Sequence, residues 1–182
     1  MIYTSKLDLS DVYKEIDQIQ NCISRMANNS FHIKSWHIGL ISALAAFFIS
    51  KETVNYVSLF VLTIIITIIM WYLDSYYLLL ERKYRWKYQW IIKNRLNKSD
   101  IEINNEYFLN LNPHEINMWE VNKESKEYKA AIQSIDSKNK SSLVQMFCYI
   151  KEVWLVMQSC TMVAEYFSII LISIIGIMIT LL

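Results

Sequence analysis

Leu9, Val12, Ile16, Ile19, Ile23 and Met26 recur at alternating steps of three and four residues, the spacing that puts side chains on one face of a helix. Asp11, Lys14, Asp17, Gln18, Asn21 and Arg25 fall on the opposite face, and Asp8 or Ser10 can cap the start. The pattern predicts an amphipathic helix within residues 1–32. Its stripe keeps a heptad register and is read as an oligomer or docking stripe with three occupants open. These are the chain's own cytoplasmic helices, the same arm of another subunit, or the membrane surface. The polar face is not rich in Lys and Arg, which counts against the membrane.

Three apolar runs follow a different pattern. Residues 33–50 are apolar apart from Lys34 and His37 near the start, 55–73 carry no charge, and 163–182 hold Glu165 alone. Each is long enough to cross about 30 Å of hydrocarbon. The expected fold is all-α, a helical membrane protein with about three transmembrane helices. Its parts are a cytoplasmic amphipathic helix (1–32), a two-span hairpin (33–73), a cytoplasmic helical segment (74–161) and a third transmembrane helix (162–182).

The link between the first two spans, residues 51–54, has one basic residue, whereas Arg82, Lys83, Arg85, Lys87, Lys93, Arg95 and Lys98 crowd the stretch after span two. The basic side is cytoplasmic. The N-terminus is therefore expected inside and the C-terminus outside, and the absence of a central apolar run in residues 1–30 predicts no signal peptide. Trp71, Tyr72, Tyr76, Tyr77, Tyr84, Trp86, Tyr88 and Trp90 read as the aromatic belt of the inner boundary. Tyr77, Leu80, Tyr84, Tyr88, Ile91 and Leu96 continue span two as a helix, with Glu81 and Arg85 spaced to pair. Residues 97–100 break it, 101–111 are a strand or loop, and Asn112, Pro113 and Glu115 open a helix reaching about residue 135. Residues 143–161 read as an interfacial or docked helix leading into span three.

Composition sharpens this picture. Of 182 residues 54% are hydrophobic and 19% charged, against about 45–50% and 25% in soluble domains. Two Gly and one Pro exclude turn-rich β folds and Gly-rich phosphate loops. His32, His37 and His114 form no cluster with metal-ligand or nucleophile spacing, and Cys22, Cys148 and Cys160 fit no zinc site and read as free thiols. No enzyme, cofactor or metal is expected. The run 82–90 is basic and aromatic, but its place beside a span favours lipid headgroups over nucleic acid.

Candidate chemistry sits at membrane depth. A tight turn between spans one and two brings Lys34 and His37 beside Asp74, and an unpaired carboxylate there is costly. A hairpin ion pair from Asp74 to Lys34 or His37 is expected, with snorkelling to headgroup water as the alternative. Glu165 enters span three from the same side and reads as an interface residue or, less simply, a pore residue. Ser35, Gly39 and Ala43 repeat every fourth residue, a helix-packing face for span two or for a second subunit. Thr63, Thr67, Ser168 and Ser173 are expected to bond their own backbone.

Residues 25–31 lead into span one, and Trp71, Tyr72, Leu73, Asp74, Ser75, Tyr76 and Tyr77 with Glu81 and Arg82 lead out of span two. In layout and in these strings the chain resembles the small helical transmembrane effectors of bacterial conflict and anti-phage operons, over roughly residues 10–98. The third span departs from their two-span plan. The resemblance implies an inner-membrane homo-oligomer that perturbs or permeabilises the bilayer when triggered. The competing expectation is a non-conducting anchor that recruits a cytoplasmic protein partner. Under either, the lipid bilayer is a partner and nucleic acid is not.

Overall fold

The computed structural model describes residues 9–50, 55–93, 111 and 142–181, with 142–149 described by their backbone. Among these residues the architecture is all-α, without a strand. Helix α1 spans Leu9–Ile49 and α2 spans Tyr56–Ile91. Helix α3 spans Ser142–Met157, and α4 spans Cys160–Leu181 with a π-helical segment at Val163–Phe167. Helices α1, α2 and α4 are long and apolar enough to cross a membrane.

α1 holds 41 residues in one helix, about 60 Å at 1.5 Å per residue. The expected boundary at 32/33 falls inside it, so the amphipathic arm and the first span are one rigid element. The boundary at 73/74 falls inside α2 in the same way. Neither junction holds a Gly, a Pro or a cap, so nothing ends the helix there. At its start α2 is capped by Asn55, whose side-chain oxygen accepts from the Ser58 amide at 3.2 Å. The readings for Asp8, 51–54, 94–110 and 112–141 lie outside the described residues.

α1 and α2 form an antiparallel hairpin, registered by Glu15 on Lys87, Lys34 on Asp74 and His37 on Thr67. Along its extramembrane half, Val12, Ile16, Ile19, Cys22 and Met26 pack with Leu80, Tyr84 and Ile91. The heptad stripe thus lies on the chain's own α2, with half-buried Ile23 packed at its edge and Leu9 alone exposed. Tyr84 donates from its hydroxyl to the Leu111 carbonyl at 3.0 Å, and burial pushes its phenol above the ordinary value. α3 docks on the other side of α2, where Val153, Val156 and Met157 meet Leu79.

Two ion pairs are buried between these packed faces. Lys87 Nζ lies 3.4 Å from Glu15 Oε1 on α1, and Lys83 Nζ lies 2.6 Å from Glu152 Oε2 on α3. All four side chains are almost fully buried. Within the basic-aromatic run, read from its place as favouring lipid headgroups, Lys83, Tyr84, Trp86 and Lys87 are buried between the helices. Arg85 remains on the outside, paired with Glu81 at 2.7 Å.

α4 runs back along the hairpin, antiparallel to α2. Near its far end the Phe60 ring occupies the space beside Gly176, where a Cβ would collide with it. At its near end it meets the polar side chains described next. The apolar surfaces of α1, α2 and α4 otherwise point outward, with Ile38, Ile49, Ile69, Ile172 and Ile179 among the exposed residues.

Candidate functional site

Asp74 is fully buried at the junction of the three long helices. On α2, Thr67, Trp71 and Asp74 recur at steps of four and three, so they share one face. On α1, Ser30, Lys34 and His37 have the same spacing and confront them. Ser30 Oγ donates to Asp74 Oδ1, and Lys34 Nζ stands 3.8 Å from Asp74 Oδ2. His37 turns elsewhere: its Nε2 lies 3.0 Å from Thr67 Oγ1, and Thr67 in turn donates to the Thr63 carbonyl. Of the two cations expected at Asp74, Lys34 is the one that reaches it.

The third helix completes the site. Tyr166 donates from its hydroxyl to Asp74 Oδ2 at 2.9 Å, while its ring lies between His37 and Trp71, with centroids 5.3 and 6.1 Å away. The neighbouring Glu165 accepts from Lys34 Nζ at 2.7 Å. Two adjacent residues of one helix thus both reach the hairpin. The π-helical turn at Val163–Phe167 accounts for this, because its i→i+5 bonding widens the turn.

The charges are unequal to the task of cancelling. One ammonium serves two carboxylates, at 2.7 Å for Glu165 and 3.8 Å for Asp74. The Lys34 and Glu165 side chains stay 35% and 40% exposed, whereas Asp74 depends on hydroxyl donors for the rest of its solvation. A buried carboxylate with several donors is much cheaper than a bare one. The arrangement ties α1, α2 and α4 together at one depth. Measured along the helices, Tyr56, Ile49 and Leu181 all lie roughly 22–27 Å from it, close to one hydrocarbon thickness.

Thr63, Ser168 and Ser173 bond their own backbone carbonyls, at Leu59, Glu165 and Ile169. Ser35, Gly39 and Ala43 are exposed, and nothing lies within 4 Å of a Cβ added at Gly39. The small-residue face therefore does not serve α1–α2 packing. His37 and Ile33 approach α2 instead, from another side of α1.

Ser30, Tyr166 and the buried pairs of Lys83 and Lys87 escape sequence reasoning. Glu15 does carry a signal, since it lies three residues after Val12 and four before Ile19, on the edge of the stripe. Tyr166 carries none, being 92 positions from Asp74.

No family model, curated protein or solved structure matches this chain. Its site is therefore read from its own geometry.

Proposed function

We propose that the protein is an oligomerising effector of a bacterial inner membrane that permeabilises the bilayer when a trigger acts on its cytoplasmic segment. The N-terminal arm lies inside and α4 ends outside, as the basic residues after span two favour. The observation that carries this reading is the outward-facing row Ser35, Gly39 and Ala43 on α1. In lipid, apolar contact alone drives little helix association, and small residues allow the close backbone approach that does. Neither α2 nor α4 uses that row, so a second copy of the chain is its proposed occupant. The layout shared with conflict-system effectors points to the same class of role.

The test is induced expression with a membrane-potential dye, comparing wild type with Gly39→Leu. A Cβ at this exposed position meets nothing within 4 Å, so the substitution starts into open space. The proposal expects wild type to collapse the potential and Gly39→Leu to preserve it at equal membrane insertion. A steady potential with abundant inserted wild type overturns it, and a co-purifying cytoplasmic protein would then favour the anchor role.

A further inference from the structure

α3 and α4 part at Gln158 and Ser159, where Ser159 takes extended backbone (φ −65°, ψ 144°). Residues 155–162 hold neither Gly nor Pro, and the π-helical segment begins only at Val163. Helices without those features break where a side chain or a water enters the i→i−4 ladder. The Ser159 hydroxyl does not fill that role. It makes no cap hydrogen bond and is buried without a partner among the described residues.

Two more buried polar atoms lack a partner among the described residues, Trp71 Nε1 and Ser75 Oγ. Trp71, Ser75 and Leu79 recur at steps of four and share one face of α2. The Tyr166 ring stacks on Trp71 with centroids 6.1 Å apart, and Val153, Val156 and Met157 meet Leu79. Trp71 packs on that apolar cluster as well. The chain from Met157 to Tyr166, which holds Ser159, therefore passes over Ser75. Ser75 is fully buried. Unlike Thr63, Thr67 and Ser173, it does not bond the carbonyl four residues back. One indole N–H and two hydroxyls are thus left over at the place where the helix breaks.

We propose that these three groups hold one buried water molecule, which closes the break between α3 and α4. The water accepts from the Trp71 indole N–H and donates to the Ser75 and Ser159 oxygens. That makes about three hydrogen bonds, as is typical of a buried water. An indole N–H can only donate, so it suits an acceptor and excludes a cation as the occupant. Gln158 and Cys160 on either side of Ser159 are exposed, which gives exchange with solvent a short path. The water ties α2 to the break and so sets the start of α4, whose Glu165 and Tyr166 reach the hairpin about two turns later. The inference is independent of the effector role.

The test is nuclear magnetic resonance of the full chain in lipid nanodiscs, deuterated at carbon and isotope-labelled at nitrogen, with the Trp71 indole assigned through Trp71→Phe. A long-lived water gives a negative nuclear Overhauser cross-peak to the Trp71 indole proton. Ser75→Ala and Ser159→Ala should each weaken that peak, and the two together should abolish it. Ser159→Thr retains the hydroxyl and should keep the peak. Ser168→Ala should leave it unchanged, because Ser168 bonds the Glu165 carbonyl. Each serine variant removes a single oxygen and should retain its helical circular dichroism. No cross-peak in the wild type, or one that survives the double replacement, overturns the proposal. A peak lost with one serine and untouched by the other reports that hydroxyl's own exchange, and overturns it too.

Discussion

Towards the arm, the hairpin closes on Val12, Ile16, Ile19, Met26, Leu80 and Ile91, with large apolar groups outside the packed seam being few. Towards the turn, the buried positions are Phe48 and the polar His37, Thr63, Thr67 and Asp74, with Ser173 buried on α4, and the exterior is Ile, Leu and Phe. The same two helices therefore change along their length from a mainly apolar seam crossed by buried ion pairs to a seam of small polar groups under an apolar exterior. In water, apolar side chains gain by leaving solvent, at about 25 cal/mol per Å². In hydrocarbon that gain vanishes, and contact between helices must come from hydrogen bonds and close fit. The crossover falls at Ser30–Lys34 on α1 and Asp74 on α2, where the ion cluster sits.

The strongest way to break this contrast is in the arm. Lys87→Ala removes the ammonium that lies 3.4 Å from Glu15 inside the packed seam, and should cost about 3–5 kcal/mol. The joint replacement Glu15→Leu with Lys87→Met should recover most of that loss in the same chemical-unfolding assay. Ile19→Ala, at a fully buried position, should cost about 2–4 kcal/mol. In the membrane half, effects should be smaller. Asp74→Asn should weaken α4 docking by about 1–2 kcal/mol, and Tyr166→Phe by about 0.6 kcal/mol. A cysteine cross-link between Phe60→Cys and Gly176→Cys would read both as reduced yield. The smallest effect belongs to Arg85→Ala, which removes the exposed partner of buried Glu81 from an i,i+4 pair worth about 0.5 kcal/mol. If Tyr166→Phe proves more damaging than Ile19→Ala, the contrast between the halves fails.

Much of this arrangement is written locally. The steps of three and four from Leu9 to Met26 specify a helix and its apolar face, and a four-residue link makes the hairpin register readable enough to bring Lys34 near Asp74. Which surface receives the stripe is not a local property, because periodicity describes a face and not its partner. Ser35, Gly39 and Ala43 show the same limit, since their spacing permits packing on α2 while their azimuth on α1 points elsewhere. Lys83 and Lys87 look like solvated charges in a basic run. Their burial depends on Glu15 and Glu152, which arrive from elements 69 or more positions distant. The meeting of Tyr166 with Asp74 needs both the path of α4 and its widened π turn.

α1 contains neither Gly nor Pro from Leu9 to Ile38, and kinks in helices arise chiefly at such residues or at π-bulges. It is mechanically a shaft with no joint. Glu15 and Gly39 lie on it some 36 Å apart by helical rise. The arm and the membrane face of α1 are therefore two parts of one uninterrupted helix.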